Sequence, residues 1–304
     1  IVEQPATIDP LTTALSGAAP VQEYAARDII RVLDAAATDD RVTKVVLDLD
    51  RFLGGGQASL SEIGERLDKV RAAGKPVHAY AAVYTNDSYQ LAAHADEIWI
   101  DPMGATVIAP RGGSNLYFGD ALKRYGVNVH VYRVGRYKSA VEPYLESRQS
   151  PEAAENARAL YGSLWTAWRD EVQKRRPKAR IDDLVERPAE LLAAQRGDAA
   201  KLALSLGLVD RIATPRQFAD AMDGDEGRTD NPGEVAGTQY ADYLAALGAP
   251  ASNGAPIAVV TVAGRIVDGE GGPGSAAGDT VADAKNLTDF SNFGVFAKVL
   301  DLVL

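Results

Sequence analysis

Lys138 lies in the run Val131-Tyr132-Arg133-Val134-Gly135-Arg136-Tyr137-Lys138-Ser139-Ala140-Val141-Glu142-Pro143-Tyr144, where a strand-like stretch delivers a lysine and a proline then stops it. A lysine amine can take a proton from a hydroxyl only in its neutral form. Its ordinary pKa of about 10.4 must therefore be lowered, by burial among apolar groups or by a neighbouring cation. Lowering it by about three units corresponds to roughly 4 kcal/mol of differential destabilisation. Strand alternation would put Val134, Arg136 and Lys138 on one face with Tyr132, giving an apolar wall and one positive charge. Glu142 would oppose this if it pointed inward. Ser139 would project to the opposite side of an extended chain, so Ser139 and Tyr137 read as residues that shape the segment rather than as nucleophiles. Taken singly, a lysine after a strand is most simply a solvated one.

A second stretch with chemical potential is Arg51-Phe52-Leu53-Gly54-Gly55-Gly56. Consecutive glycines let backbone amides approach a developing oxyanion, the larger electrostatic share of acyl-transfer catalysis. Gly54, Gly55 and Gly56 carry no hydroxyl, and a tight strand-to-helix turn is the simpler reading of this copy. Ser59, Ser61 and Ser114 read as caps and turns.

The elements that must hold these stretches alternate. Residues 21 to 37 have helical spacing of apolar side chains, and Lys44 to Asp50 reads as a buried strand. Ser59 and Glu62 suggest a capping box for a helix bearing Leu60, Ile63, Leu67 and Val70, ended by Gly74 and Pro76. Val77 to Val83 reads as a strand, Ser88 to Ala95 as a short helix, and Glu97 to Ile100 as a strand closed by Asp101-Pro102. A helix over Asn115 to Tyr125 and a strand over Asn128 to Val134 follow. Ser150-Pro151-Glu152 opens a long helix with Ala157, Leu160, Tyr161, Leu164, Trp168 and Val172 as its apolar stripe. Residues 198 to 212 give a helix, a stop at Gly207 and a strand, and Pro215 to Met222 one more helix. This order predicts an α/β fold, a parallel sheet wrapped by helices with function at the carboxyl ends of its strands.

With 304 residues, 46% of them hydrophobic, the chain can hold one complete domain and a piece of another. Residues 1–222 read as the first domain and 223–255 as a linker, because the sequence from Asp223 is acidic and glycine-rich. Residues 256–304 read as the start of a second repeat: Ile266-Val267-Asp268 echoes Ile1-Val2-Glu3, and Ala297 to Asp301 echoes Ile30 to Asp34. The formal charge of −10 argues against nucleic acid as a partner. Without cysteine there is no disulfide and no thiolate metal site, and His78, His94 and His130 lack metal-ligand spacing, so neither metal nor cofactor is expected. No apolar run reaches membrane-spanning length and no signal-peptide pattern opens the chain. The abrupt apolar start at Ile1-Val2 suggests a longer native polypeptide with an anchor upstream.

The segment Arg133 to Tyr144 resembles the lysine-bearing segment of the signal peptide peptidase A, or protease IV, family in its long two-repeat bacterial form. The resemblance runs through KVVLDLD with RFLGGG, GKPVHAY, Asp96-Glu97-Ile98-Trp99 and Ser150-Pro151, and on to residues 264–280. It implies crotonase-like or Clp-protease-like repeats of ββα units and cleavage of leftover signal peptides and other hydrophobic peptides by a serine and a lysine. It further implies a homo-oligomer such as a tetramer, anchored at the periplasmic face of the bacterial inner membrane. By that resemblance Lys138 is the general base, and the nucleophilic serine belongs to the carboxyl-terminal repeat, on a Ser-Pro-Gly-Gly-Ser type of loop. The first repeat has Phe52-Leu53-Gly54-Gly55-Gly56 there, with glycine in the nucleophile's place, so Gly54 to Gly56 are a relict oxyanion-type loop. Residues 283–304 keep only the helix echo, which leaves two readings, a chain cut before its serine loop or a different carboxyl terminus, and favours the first. Two other readings compete: a non-catalytic half that holds peptides, and a crotonase-type acyl-CoA enzyme.

Overall fold

A computed structural model describes residues 1–3, 22–223 and 233–249. Two compact units are present: Leu33–Thr238, and a smaller one to which the described residues of Ile1–Val32 and Gln239–Leu304 belong. The proposed second repeat at 256–304 lies outside the described residues.

The first helix, α1, spans Ala26–Thr38, and strand β1 follows at Val45–Asp48. Helix α2 (Gln57–Ala72) leads into β2 (Val77–Thr85), α3 (Asn86–Ala92) and β3 (Glu97–Val107). Short helices α4 (Gly119–Arg124) and α5 (Glu142–Leu145) flank the lysine segment, and α6 (Pro151–Arg175) is the longest helix described. Then come α7 (Ile181–Glu186), α8 (Pro188–Ala194), α9 (Ala199–Ser205), β4 (Arg211–Ile212), α10 (Pro215–Asp223) and α11 (Tyr240–Leu247). Helix α11 falls inside the stretch read as linker.

The four strands pair in parallel in the order β1-β2-β3-β4. Parallel strands covered on both faces must be apolar throughout, and β2 buries Val77, Ala79, Tyr80, Ala81 and Tyr84 accordingly. One cluster joins Tyr80 and Trp99 of the sheet to Phe218 and Met222 of α10, with the Tyr80 and Phe218 rings stacked at 4.8 Å. Leu60, Ile63, Leu67 and Val70 of α2 are buried, as their helical spacing predicts.

Four local expectations are corrected. Strand β3 does not stop at Asp101-Pro102 but continues to Val107, re-pairing through Val83↔Ala105 after a register shift near Ala82. A proline is tolerated at such an irregularity because the ladder there needs no amide from it. Gly104 is required there, since a Cβ would lie 2.3 Å from the Ala82 carbonyl oxygen. Ser59 and Glu62 form no capping box: α2 begins three residues earlier, with Gly56 as its uncapped N-cap, and Ser59 is buried inside it. The capping box belongs instead to α3, where Thr85 and Ser88 bond reciprocally. The helix expected over Asn115 to Tyr125 shortens to α4, because Phe118 and Gly119 donate their amides to Pro143 and Glu146 of the α5 segment. The fourth correction concerns the lysine segment itself.

Candidate active site

No strand forms over Asn128 to Val134; the residues run as loop into a turn at Arg136-Tyr137. Gly126 and Gly135, at φ of 69° and 110°, bend the backbone at either end, and none of the four paired strands takes the run as a neighbour. An extended run without a ladder gains no sheet hydrogen bonds. The same-face argument for Val134, Arg136 and Lys138 therefore fails. Tyr132 and Val134 are 97% and 86% exposed, and the Lys138 side chain is exposed with them.

The backbone of the segment is nonetheless tied down. The Lys138 carbonyl accepts a hydrogen bond from Arg133 Nη1 at 2.7 Å, and its amide reaches the Gly135 carbonyl at 3.5 Å. The Ser139 carbonyl accepts from the Glu142 amide. Tyr137 donates its hydroxyl to Glu155 at 3.1 Å and Arg136 pairs with Glu152, so α6 holds the turn from one side. Glu142, whose side chain is 1% exposed, does point inward, but its oxygens are engaged by the Ser150 hydroxyl (2.7 Å), the Ser150 amide (3.2 Å) and Arg133 (3.7 Å).

Gly54, Gly55 and Gly56 lie between β1 and α2, at the carboxyl end of the strand. Asp87, in the first turn of α3, accepts the Gly55 amide at 3.2 Å, and Arg111 binds its other oxygen at 2.6 Å. Gly54 has φ of 129°, and a Cβ there would lie 2.7 Å from Asp87 Oδ2. The chain's own carboxylate therefore occupies the Gly55 amide. Nothing in the sequence spacing pairs Gly55 with Asp87, because the contact closes only when β1 and β2 lie side by side.

A third group was missed for the same reason. His94 is 1% exposed, with Nδ1 at 3.1 Å from Asp68 and Nε2 at 3.2 Å from Glu171. Glu171 also accepts from the Ser61 hydroxyl and from Gln90, and Arg175 pairs with Asp68. Burial pushes the Glu171 carboxyl up, but hydrogen bonds from His94 and Ser61, the pull of His94 and a bond from Gln90 together hold it below its ordinary value. Gly64 makes room for the ring, since a Cβ there would lie 2.4 Å from Nε2. The cluster pins α6 to α2 and α3, and its buried position makes it a structural joint.

A polar cavity of about 220 Å³ is lined by Lys44, His78, Glu97, Trp99, Arg211 and Met222. It gathers residues at or before the amino ends of β1 to β3, whereas ligands of open α/β sheets bind at the carboxyl ends.

Comparison with known proteins shows the family. The model of peptidase family S49 matches residues 69–222, a stretch that includes Lys138. Protease 4 of Salmonella typhi is 35% identical over 289 residues, covering 93% of this chain and 46% of that protein. Protease 4 of Haemophilus influenzae is 34% identical over 84% of this chain and 42% of its own length. A chloroplastic serine protease of Arabidopsis thaliana is 25% identical over 48% of the chain and 22% of its own length. Among solved structures, an enoyl-CoA hydratase/isomerase family protein from Silicibacter pomeroyi aligns with 60% of this chain and 84% of its own at 22% identity and a TM-score of 0.23. The chain belongs to peptidase family S49, and its parallel sheet with wrapping helices is the α/β arrangement expected. It spans about half the length of the curated relatives it matches, 46% and 42% of the two bacterial proteins.

Proposed function

We propose that this chain is the lysine-donating, amino-terminal portion of a Ser/Lys endopeptidase that degrades residual signal peptides and other hydrophobic peptides. The observation that carries the reading is the S49 match across residues 69–222, within which Lys138 is presented on the surface with its backbone held. In the first step the neutral Lys138 amine takes the proton of a serine hydroxyl as the oxygen bonds to the scissile carbonyl carbon. The carbonyl electrons move to oxygen and are met by backbone amides beside the serine. The ammonium then gives its proton to the leaving amine as the C–N bond breaks, and water repeats the sequence to free the acyl group. The serine comes from the carboxyl-terminal repeat.

A general-base amine must be shielded from water, so the exposed Lys138 needs another surface to cover it. That cover is supplied by the second repeat or by a neighbouring subunit of a homo-oligomer such as a tetramer. The neighbouring exposed Tyr132 and Val134 supply apolar contact area for it. The assembly works at the periplasmic face of the bacterial inner membrane through an anchor outside these residues. Among the described residues no helix is long and apolar enough to cross a membrane. The acyl-CoA reading is disfavoured by Asp87, whose carboxylate on the Gly55 amide would repel a thioester oxyanion.

The test is Lys138→Ala in the complete polypeptide, assayed on an apolar peptide. Turnover is expected to fall on the order of 10³-fold while the folding transition stays in place. Near-normal turnover removes Lys138 from the mechanism and favours a non-catalytic, peptide-holding half.

A further inference from the structure

Lys138 sits in a loop with no strand to aim it, so some other group must fix its position before it can act on a hydroxyl. Two of its ties to α6 are weak by physical character: the Arg136–Glu152 pair is 3.9 Å long with Arg136 76% exposed, and the Tyr137–Glu155 hydrogen bond is exposed. Exposed pairs of this kind add little to a defined geometry. The third tie is different because its centre is buried.

Glu142 is the first residue of α5, and its carboxylate is 1% exposed. A charge removed from water must be matched by donors, and here they come from two directions. Ser150 supplies both its amide (3.2 Å) and its hydroxyl (2.7 Å), and the same hydroxyl accepts the Ala153 amide at 3.1 Å as the N-cap of α6. Arg133 approaches Glu142 at 3.7 Å and, from the same Nη1 nitrogen, donates to the Lys138 carbonyl at 2.7 Å. The result is a continuous chain from the start of α6, through a buried carboxylate and a guanidinium, to the backbone of the lysine.

We propose that Glu142 is the positioning residue for Lys138, acting through Arg133 and anchored by Ser150 at the head of α6. The inference rests on the reading of Lys138 as the general base and assigns Glu142 and Arg133 no contact with substrate. In this arrangement Glu142 orients Arg133, so that the guanidinium is aimed at the Lys138 carbonyl.

The experiment compares Glu142→Gln, Arg133→Gln and the double variant with Lys138→Ala, all in the complete polypeptide. Glutamine at 142 keeps an acceptor for Ser150 but loses the ion pair. Each single variant is expected to lower kcat by about 10- to 100-fold with KM changed by less than about threefold, the signature of a displaced catalytic group. The double variant is expected to be no worse than the poorer single one, because both break the same chain. A merely structural Glu142 would instead lower the unfolding midpoint and leave kcat per folded molecule unchanged, which overturns the proposal. Should Glu142→Gln fail to fold, Arg133→Gln leaves the Glu142–Ser150 bonds in place and carries the same test. If Lys138→Ala abolishes turnover while both glutamine variants stay within about twofold of wild type, the positioning role alone is wrong. If Lys138→Ala is itself active, the base assignment fails and this inference with it.

Discussion

Gly55 and Lys138 both stand on loops, and each offers a group that acyl transfer uses: an amide donor in one case, an amine in the other. Gly55 donates to the carboxylate of Asp87, which Arg111 clasps from the other side. Lys138 has its carbonyl held by Arg133 while its side chain faces outward. The first loop is closed by the chain's own residues, and the second is left for something else to complete. The contrast separates a loop whose amide the chain itself satisfies from one whose side chain it leaves exposed. A glycine-loop amide left without an acceptor is costly, and the Asp87 carboxylate satisfies that of Gly55. A lysine that is to act on a group carried by another surface must keep its side chain accessible.

Helix α6 links the contrast to the core. Its carboxyl-terminal half is anchored by Trp168 and Val172 and by the bonds of Glu171 with His94, Ser61 and Gln90. Its amino-terminal half holds the lysine turn through Glu152 and Glu155, and Leu160 there is 52% exposed. One end is a rigid mount, and the other is a surface.

The comparison can be broken in steps of decreasing size. Lys138→Ala should lower turnover on the order of 10³-fold with an unchanged unfolding midpoint, because an exposed side chain contributes little to stability. Asp87→Ala should do the reverse: it leaves the Gly55 amide and Arg111 without their acceptor, costing about 1–3 kcal/mol in denaturant unfolding, with turnover within about threefold of wild type. Turnover lost on a folded Asp87→Ala protein would mean that the glycine loop takes part after all. Glu171 tests the mount. Its carboxyl is held below the ordinary value of 4.5, so its contribution is present above that value and disappears as pH falls through the lower folded value. Glu171→Gln should therefore lose roughly 1–2 kcal/mol at neutral pH and show a flatter acid limb in unfolding free energy against pH. The smallest effect belongs to Gly56→Ser. Gly56 is the N-cap of α2 with φ −64° and ψ 130°, a conformation serine adopts readily, so the change should stabilise by a few tenths of a kcal/mol. A serine-directed phosphonate should leave residue 56 unlabelled, because Asp87 still occupies the neighbouring amide; labelling there would show that the loop is not closed.

Local pattern was enough to read the parallel α/β order, the apolar face of α2 and the Ser150 cap of α6, since each is written in residues close together in the chain. The two readings that failed nearest the site were also local ones. Ser59 and Glu62 have capping-box spacing, yet Gly56 starts the helix, and the β-branched run before Lys138 has strand character without a strand to pair with. Propensity cannot supply a ladder partner.

The sequence by itself determined the family resemblance and the candidate base, because a long continuous motif around Lys138 carries both. Only the tertiary structure decided what surrounds them: Asp87 on the Gly55 amide across 32 residues of sequence, His94 between Asp68 and Glu171, and Glu142 buried against Ser150 and Arg133. The physical reason is common to all three. Each is a buried or closely paired polar group whose partner is chosen by packing, and packing brings together residues that no spacing along the chain connects.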